Sequence, residues 1–227
     1  MRVIIIRHHD VDSAGFIADA FEARGAELSV HLYPDDGPLP GFDDADHIIM
    51  LGAIPSVYDP DVSWIEPELE WLRAVDQAGV PVLGICYGAQ ELCTIFGGKV
   101  VAADEKEVGW LMIETARPDL IPAGPWLLFH GDRCEPPPGA VILAHNETGV
   151  QAFTIGRHLG VQFHPEVDGA QLQLWLEAGG RQEALAAGTD PDVLLSQAFA
   201  EEPAAKARAD RLVETALQLA SERALAS

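Results

Sequence analysis

The chain has 227 residues, and 48% of them are hydrophobic, which is enough for a large folded core and argues against a disordered chain. There are 14 Lys and Arg residues against 36 Asp and Glu residues, so the formal net charge is −22. Nucleic acid and anionic membranes would repel such a surface. No apolar run approaches the roughly 18 residues of a membrane span, and the N-terminal apolar stretch is too short for a signal peptide.

The cysteine content predicts free thiols. The sequence contains only Cys86, Cys93 and Cys134, an odd number without a Cys-x-x-Cys pair. Such a set favours neither a disulfide framework nor a structural zinc site, and it suits the reducing cytoplasm. We therefore expect a cytoplasmic protein without a metal or other cofactor, in which at least one thiol is available for chemistry.

Strand and helix patterns alternate through the first hundred residues. Apolar runs predict strands at residues 3–7, 28–32, 47–50 and 81–85. Helical spacing predicts helices at residues 13–24 and 63–77, capped by Ser13 and Ser63, and a third from Tyr87 to Gly97. This alternation is typical of a parallel sheet that has helices on both faces.

Strand patterns dominate after residue 100, and helical patterns after residue 180. Strands are predicted at residues 108–113, 126–129, 141–144, 151–155 and 159–163, and they either extend the sheet or form a small antiparallel flap. Cys134 falls in a proline-rich segment that predicts a loop. We expect an α/β domain over residues 1–180, and a helical extension over residues 181–227 that packs on the same domain. A surface for dimerisation or partner docking is the alternative interpretation of that extension.

A cysteine lies where a predicted buried strand meets a helix. The segment Gly84-Ile85-Cys86-Tyr87-Gly88 has the Gly-x-nucleophile-x-Gly pattern of a nucleophile elbow, with Cys in place of Ser. Its two glycines allow a sharp turn between closely packed elements. The turn places Cys86 at the carboxyl edge of the sheet and at a helix N-terminus, which favours a thiolate. Cys93 and Cys134 have no such context, so Cys86 is the predicted nucleophile.

One of the eight histidines follows a predicted strand and has an acidic neighbour. His164 comes directly after the apolar run 159–163 and precedes Pro165-Glu166. A thiol nucleophile needs a general base and a group that orients it. His164 is therefore the predicted base, and Glu166 is close enough to accept the other ring N–H.

Together, the segments 84–90 and 160–166 resemble class I (triad-type) glutamine amidotransferases, and in particular stand-alone members similar to the amidotransferase domain of GMP synthase. Further segments match in the same order, at residues 51–59, 64–69, 106–110 and 129–132. The resemblance covers residues 1–180 and implies a flavodoxin-like α/β fold. It also implies that Cys86 attacks the side-chain amide of glutamine, that a γ-glutamyl thioester forms, and that ammonia is released.

The resemblance also implies roles for five substrate-binding residues. Backbone N–H groups of Tyr87 and of the Gly52-Ala53 loop would stabilise the oxyanion, while Gln90 and His130 would help to hold the substrate. Many relatives have Gly-Gly-Pro where this chain has Gly52-Ala53-Ile54, and an alanine is disfavoured at a positive φ. We therefore expect the loop to favour a single conformation.

Two other functions stay open at the level of the sequence. The first is a γ-glutamyl peptidase or hydrolase, which uses the same chemistry on a larger substrate. The second is a non-catalytic binding or regulatory relative of these enzymes. The intact set of Cys86, His164 and Glu166 argues against the second. Because the sequence has no P-loop signature for ATP, released ammonia would pass to a synthetase or another acceptor protein.

Overall fold

The structure, a computed structural model, describes residues 1–224 and the side chains up to Ser221. Its strands are β1 (Arg2–Arg7), β2 (Glu27–Leu32), β3 (His47–Met50), β4 (Val82–Ile85), β5 (Lys99–Met112), β6 (Glu114–Thr115), β7 (Pro125–Glu135), β8 (Val141–His145), β9 (Val150–Ile155) and β10 (His158–Val161). Its α-helices are α1 (Gly15–Glu22), α2 (Ile65–Ala78), α3 (Tyr87–Ile95), α4 (Gly169–Trp175), α5 (Arg181–Ala186) and α6 (Pro191–Ala224). A π-helical turn, Leu176–Gly180, joins α4 to α5.

Eight strands form one mostly parallel central sheet in the order β2-β1-β3-β4-β10-β9-β8-β6. The first five strands in this order run parallel, whereas β9, β8 and β6 extend the sheet with antiparallel pairs. The predicted α/β fold class is confirmed. Since β4 lies at the centre, the turn that follows it has sheet on both sides.

Helices cover both faces of the sheet, as the continuous apolar strands require. Along β1, Val3 and Ile5 join the core on the face covered by α1 and α6, while Ile4 and Ile6 join the core on the face covered by α2 and α3. Side chains therefore alternate between two hydrophobic layers, and each layer buries one stripe of each covering helix.

The later strands both extend the sheet and form a separate ribbon. β5 and β7 pair only with each other, in an antiparallel ribbon, and both are longer than the sequence predicted. The prediction of a loop around Cys134 is wrong, because Cys134 lies on β7 opposite Val100 and is 3% exposed. The three prolines that follow it, at residues 136–138, lie beyond the end of β7 and do not interrupt the pairing.

The predicted caps of the first two helices are also wrong. α1 begins at Gly15 after Ala14, and the Ser13 hydroxyl accepts a hydrogen bond from the Gly15 N–H, ahead of the helix. α2 begins at Ile65, so Ser63 lies outside it. The end of α2 is as predicted, with Gly79 in the left-handed conformation at φ 78°.

The long helix α6 completes one of the two hydrophobic layers. Leu212, Val213 and Ala216 of this helix are buried in the same core as α1 and the sheet. These contacts support the proposal that the helical extension packs on the same domain, although a domain boundary at residue 180 stays a prediction and residues 225–227 of that extension lie outside the described part of the chain. Among the described residues, no helix combines the length and the apolar character that crossing a membrane would demand.

Candidate active site

Cys86 lies in a strained turn between β4 and α3. Its φ is 53°, and it is the only non-glycine residue with a positive φ in the described part of the chain. Strain of this kind concentrates at functional sites, and a nucleophile elbow requires it. Cys86 also directly precedes the first turn of α3, where the N-terminal end of the helix favours a negatively charged sulfur.

The two glycines of the turn are required by close approach of backbone atoms. A Cβ at Gly84 would lie 2.4 Å from the carbonyl oxygen of Gly88, and a Cβ at Gly88 would lie 2.4 Å from the carbonyl oxygen of Met50. Neither contact involves a flexible side chain that can move away. The sequence pattern therefore reports a real packing constraint among β3, β4 and α3.

Replacing Gly88 with alanine should lower the free energy of unfolding by about 2 kcal/mol or more, or prevent folding, because β3 or α3 has to shift. Chemical denaturation of the variant and of wild type measures the effect. The matched control is Gly41→Ala, since Gly41 is exposed and has no neighbouring atom near an added Cβ. A Gly88→Ala protein as stable as wild type would contradict the close packing of this turn.

His164 and Glu166 follow β10 and are held from two sides. The His164 N–H donates to the carbonyl oxygen of Leu127 on β7 at 2.8 Å, and the Glu166 carbonyl oxygen accepts from the N–H of Phe16 on α1 at 3.0 Å. Between their side chains, Nδ1 of His164 lies 2.8 Å from Oε1 of Glu166. Since a carboxylate only accepts, Nδ1 carries the proton and Nε2 is left for the cysteine.

The charges around His164 stabilise its imidazolium form. Burial alone would lower the pKa of His164, but the negative charge of Glu166 and the contact with Cys86 outweigh it and raise that pKa well above its ordinary value. Trp175 packs edge-on against the imidazole, with ring centroids 4.8 Å apart. This arrangement suits a base that must also hold a proton for a leaving group.

A glutamine that sequence reasoning missed contacts the nucleophile. Nε2 of Gln162 lies 3.6 Å from Sγ of Cys86, and Oε1 of Gln162 accepts from Nε2 of Gln90 at 3.4 Å. Gln162 is 2% exposed. A polar residue inside the apolar run 159–163 was the available signal, because buried amides are retained where they find hydrogen-bond partners.

The Gly52-Ala53 loop follows β3 and lies beside the nucleophile. A Cβ at Gly52 would lie 3.3 Å from Cε1 of His164 and 3.8 Å from Cβ of Cys86. Ala53 does not have a positive φ, so the alanine adds no backbone strain to this loop conformation.

His130 is buried, and its Nδ1 makes a hydrogen bond within the protein, while its Nε2 lies at ion-pair distance from a carboxylate without hydrogen-bond geometry. Nδ1 lies 2.9 Å from the carbonyl oxygen of Asp132, and Nε2 lies 3.2 Å from Oε2 of Glu107. Burial would raise the pKa of Glu107, but His130 and the amide of Asn146 lower it. His130 therefore forms a fixed wall of the site.

These residues line one cavity of about 420 Å³. The structure brings together seven of the eight predicted site residues as cavity lining: Gly52, Ala53, Cys86, Tyr87, Gln90, His130 and His164. Glu166 lies behind His164. The sequence did not indicate the rest of the lining, which includes His9, Asp12, Lys106, Trp175 and Glu183. Within the described residues, no group of three or more His, Cys, Asp or Glu side chains has the arrangement of a metal site.

The other two cysteines lie outside this cavity. Sγ of Cys93 donates to the carbonyl oxygens of Lys99 and Glu135 at 3.3 and 3.4 Å, and Sγ of Cys134 lies 3.8 Å from Oε1 of Gln162. Both thiols are buried against the β5–β7 ribbon. Their contacts are those of core residues.

A mostly parallel sheet with a cysteine nucleophile elbow and a His–Glu pair at the carboxyl edge of its strands is typical of α/β proteins that use a cysteine thiol as their reactive group. This chain belongs to the class-I glutamine amidotransferase family, whose model matches residues 12–175. The matched span contains the Gly52-Ala53 loop, the elbow and the His–Glu pair. The resemblance predicted from the motifs is thereby confirmed.

Among its relatives in sequence are glutamine-hydrolysing GMP synthases. The chain is 41% identical over 128 residues to that of Thermomicrobium roseum, a match that covers 53% of this chain and 23% of the relative. It is 35% identical over 116 residues to that of Brucella melitensis, a match that covers 44% of this chain and 23% of the relative. The matched part is thus less than a quarter of the length of these relatives.

Solved structures share the fold over nearly the whole chain. A glutamine amidotransferase of Thermotoga maritima has a TM-score of 0.86 at 25% identity, covering 95% of this chain and 97% of that one. A glutamine amidotransferase of Methylobacillus flagellatus has a TM-score of 0.86 at 22% identity, covering 96% of this chain and 94% of that one. The second similarity shows the fold alone.

Proposed function

We propose that this chain hydrolyses the side-chain amide of glutamine at Cys86 and releases ammonia through a γ-glutamyl thioester. The observation that carries the proposal is the strained elbow of Cys86 beside the His164–Glu166 pair, in a chain of the class-I glutamine amidotransferase family. The glutamine-hydrolysing relatives support the choice of substrate.

In the first half of the reaction, Sγ of Cys86 attacks the amide carbon, and the carbonyl oxygen becomes an oxyanion. The N–H groups of Tyr87 and Ala53 are the proposed donors to this oxyanion. His164 then protonates the amide nitrogen, the C–N bond breaks and ammonia leaves. Gln90 and the wall formed by His130 are proposed to hold the glutamine in place.

In the second half, water hydrolyses the thioester. His164, now neutral, takes a proton from the water as it attacks the thioester carbon, and the C–S bond breaks. Glutamate and the free thiol are the products. Glu166 keeps Nδ1 of His164 protonated throughout and stabilises the imidazolium each time it forms.

The acceptor of the ammonia is proposed to be a separate synthetase. The observation that supports a synthetase is the similarity to glutamine-hydrolysing GMP synthases, which is limited to less than a quarter of their length. The three unpaired cysteines suit a cytoplasmic setting.

A γ-glutamyl peptidase or hydrolase is the second candidate, because the cavity extends past the nucleophile. Its lining continues to Trp175, Gly179 and Glu183, and its volume of about 420 Å³ lies in the range of pockets for drug-sized molecules, which are larger than glutamine.

Steady-state kinetics with free glutamine and with a series of γ-glutamyl dipeptides separates the two candidates. We expect kcat/KM to be highest for glutamine, because the GMP synthase relatives are glutamine-hydrolysing enzymes. A consistent preference for the dipeptides would contradict glutamine as the substrate and support the peptidase.

A further inference from the structure

We propose that His8, held by Glu68, is a positioning residue that turns the Gly52–Ala53 peptide so that its N–H faces Cys86. This inference rests on the proposed function, because the N–H it orients is one of the two proposed oxyanion donors. Neither His8 nor Glu68 touches the reacting atoms.

The hydrogen bonds of His8 carry the inference. Nδ1 of His8 lies 2.9 Å from the carbonyl oxygen of Gly52, while Nε2 lies 3.0 and 3.1 Å from the two carboxyl oxygens of Glu68. The side chain of His8 is 2% exposed and that of Glu68 is 0% exposed. A buried carboxyl and a buried imidazole thus meet at the backbone of the oxyanion loop.

The protonation of His8 follows from these partners. A carbonyl oxygen can only accept, so Nδ1 of His8 carries a proton and donates it to Gly52. One further proton lies between Nε2 and Glu68. Behind Glu68, burial and the negative charge of Glu68 raise the pKa of Glu91 well above its ordinary value.

Aromatic rings keep the imidazole of His8 in one plane. Trp64 stacks on it with ring centroids 5.1 Å apart and planes 20° apart, and Tyr87 meets it edge-on at 5.2 Å. The ring therefore cannot follow the loop if the peptide turns. A turned peptide would leave a buried Nδ1–H without an acceptor, which is costly.

The orientation of the Gly52–Ala53 peptide places the Ala53 N–H on the side of Cys86. In a planar trans peptide, the C=O and the following N–H point in opposite directions. His8 lies with Trp64 and Val62 beside a neighbouring surface groove, whereas Gly52, Ala53 and Cys86 line the cavity. With the Gly52 oxygen held toward His8, the Ala53 N–H faces the cavity, and no acceptor among the described residues pairs with it.

The same geometry explains why an alanine is tolerated in this loop. A Gly-Gly pair lets a peptide turn freely, but here an external hydrogen bond fixes the orientation and Ala53 keeps an ordinary φ. The donor is thereby arranged before the substrate arrives, which is the condition for efficient electrostatic stabilisation of an oxyanion.

The test compares His8→Ala with His8→Asn. The Asn side-chain amide places Nδ2 near the position of Nδ1, so His8→Asn keeps the donor to Gly52 while His8→Ala loses it. We expect His8→Ala to lower kcat for glutamine by about 10²-fold with little change in KM, because an oxyanion donor acts in the transition state. His8→Asn should retain most of the activity, and His145→Ala, which removes an exposed histidine from β8 near the opposite edge of the sheet, should match wild type.

The rate of alkylation by iodoacetamide distinguishes loss of the oriented Ala53 N–H from structural disruption of the site around Cys86. This reaction displaces iodide at a saturated carbon and builds no oxyanion, so the rate at which Cys86 is alkylated should be the same in wild type and His8→Ala. Wild-type turnover in His8→Ala would overturn the inference. Loss of both alkylation and turnover in His8→Ala would also overturn the inference, since that result indicates that His8 maintains the structure of the site as a whole.

A crystal structure of His8→Ala makes the test independent of the substrate. We expect the Gly52 carbonyl to turn toward the cavity or to occupy two orientations, and to keep the wild-type orientation in His8→Asn. An unchanged peptide in His8→Ala would overturn the inference. If the peptide turns but wild type does not hydrolyse glutamine, the proposed function fails and the positioning role of His8 stands.

Discussion

Replacing Cys86 with serine should abolish glutamine hydrolysis, lowering turnover by about 10⁴-fold or more, while the protein stays folded. Serine is nearly isosteric with cysteine, but its hydroxyl is a far weaker nucleophile at neutral pH than a thiol at a helix N-terminus. Ammonia release by wild type and variant measures the loss, and circular dichroism checks the fold.

The matched control for this prediction is Cys93→Ser. Cys93 lies on α3, seven residues beyond Cys86, but its thiol contacts the β5–β7 ribbon and not the cavity. A serine hydroxyl can make the same hydrogen bonds, so turnover should be largely unchanged. An inactive Cys93→Ser protein together with an active Cys86→Ser protein would show that the nucleophile has been assigned to the wrong cysteine.

Replacing His164 with asparagine should be nearly as damaging as loss of Cys86. The two residues act in the same steps, so their effects should not add. Glu166→Gln should be milder, since it keeps the shape of the side chain and removes mainly its charge. Turnover of the two single variants and of the Cys86/His164 double variant tests this coupling. A double variant much slower than either single variant would contradict a shared role.

The pH dependence of kcat/KM should depend on the charge of Glu166, because that charge raises the pKa of His164. His164 must be protonated to release ammonia, and its raised pKa keeps it protonated above its ordinary range. Activity should therefore persist to alkaline pH and fall as pH rises through the pKa of His164. Because Glu166 is one cause of the raised pKa, Glu166→Gln should move this alkaline limb to lower pH. An unmoved limb would contradict the pairing of His164 with Glu166.

The sequence predicts the parts of the fold and site that local patterns encode. Apolar runs locate β1, β3 and β4 because strands buried on both faces are apolar throughout. The elbow around Cys86 is visible because its turn demands glycines at fixed positions. His164 and Glu166 are found because they are two residues apart and follow a strand.

The remaining parts of the site depend on contacts between distant residues. His8 and Glu68 are 60 residues apart, and each occurs in a segment whose pattern indicates only a strand end or a helix. Gln162 and Cys86 are 76 residues apart. Periodicity reports which face of an element is buried, but it does not report which polar side chains meet inside the core.

The β5–β7 ribbon shows a second limit of sequence patterns. The pattern predicted only the most apolar parts of the two strands, around Val108 and Leu127, because charged and small residues occupy much of the remaining length. Backbone hydrogen bonds pair that remaining length, where Val100 and Cys134 still pack against the core. The position of Cys134 was therefore predicted wrongly, although its burial is nearly complete.

The most direct test of the central claim is mass spectrometry after incubation with a diazoketone analogue of glutamine, which alkylates a thiol that recognises the glutamine side chain. We predict a single adduct, located by digestion on the peptide that contains Cys86, with protection by glutamine and no adduct on Cys86→Ser. An adduct on Cys93 or Cys134, or a protein that hydrolyses glutamine while Cys86 stays unmodified, would contradict the assignment of Cys86 as the nucleophile of a glutamine amidohydrolase.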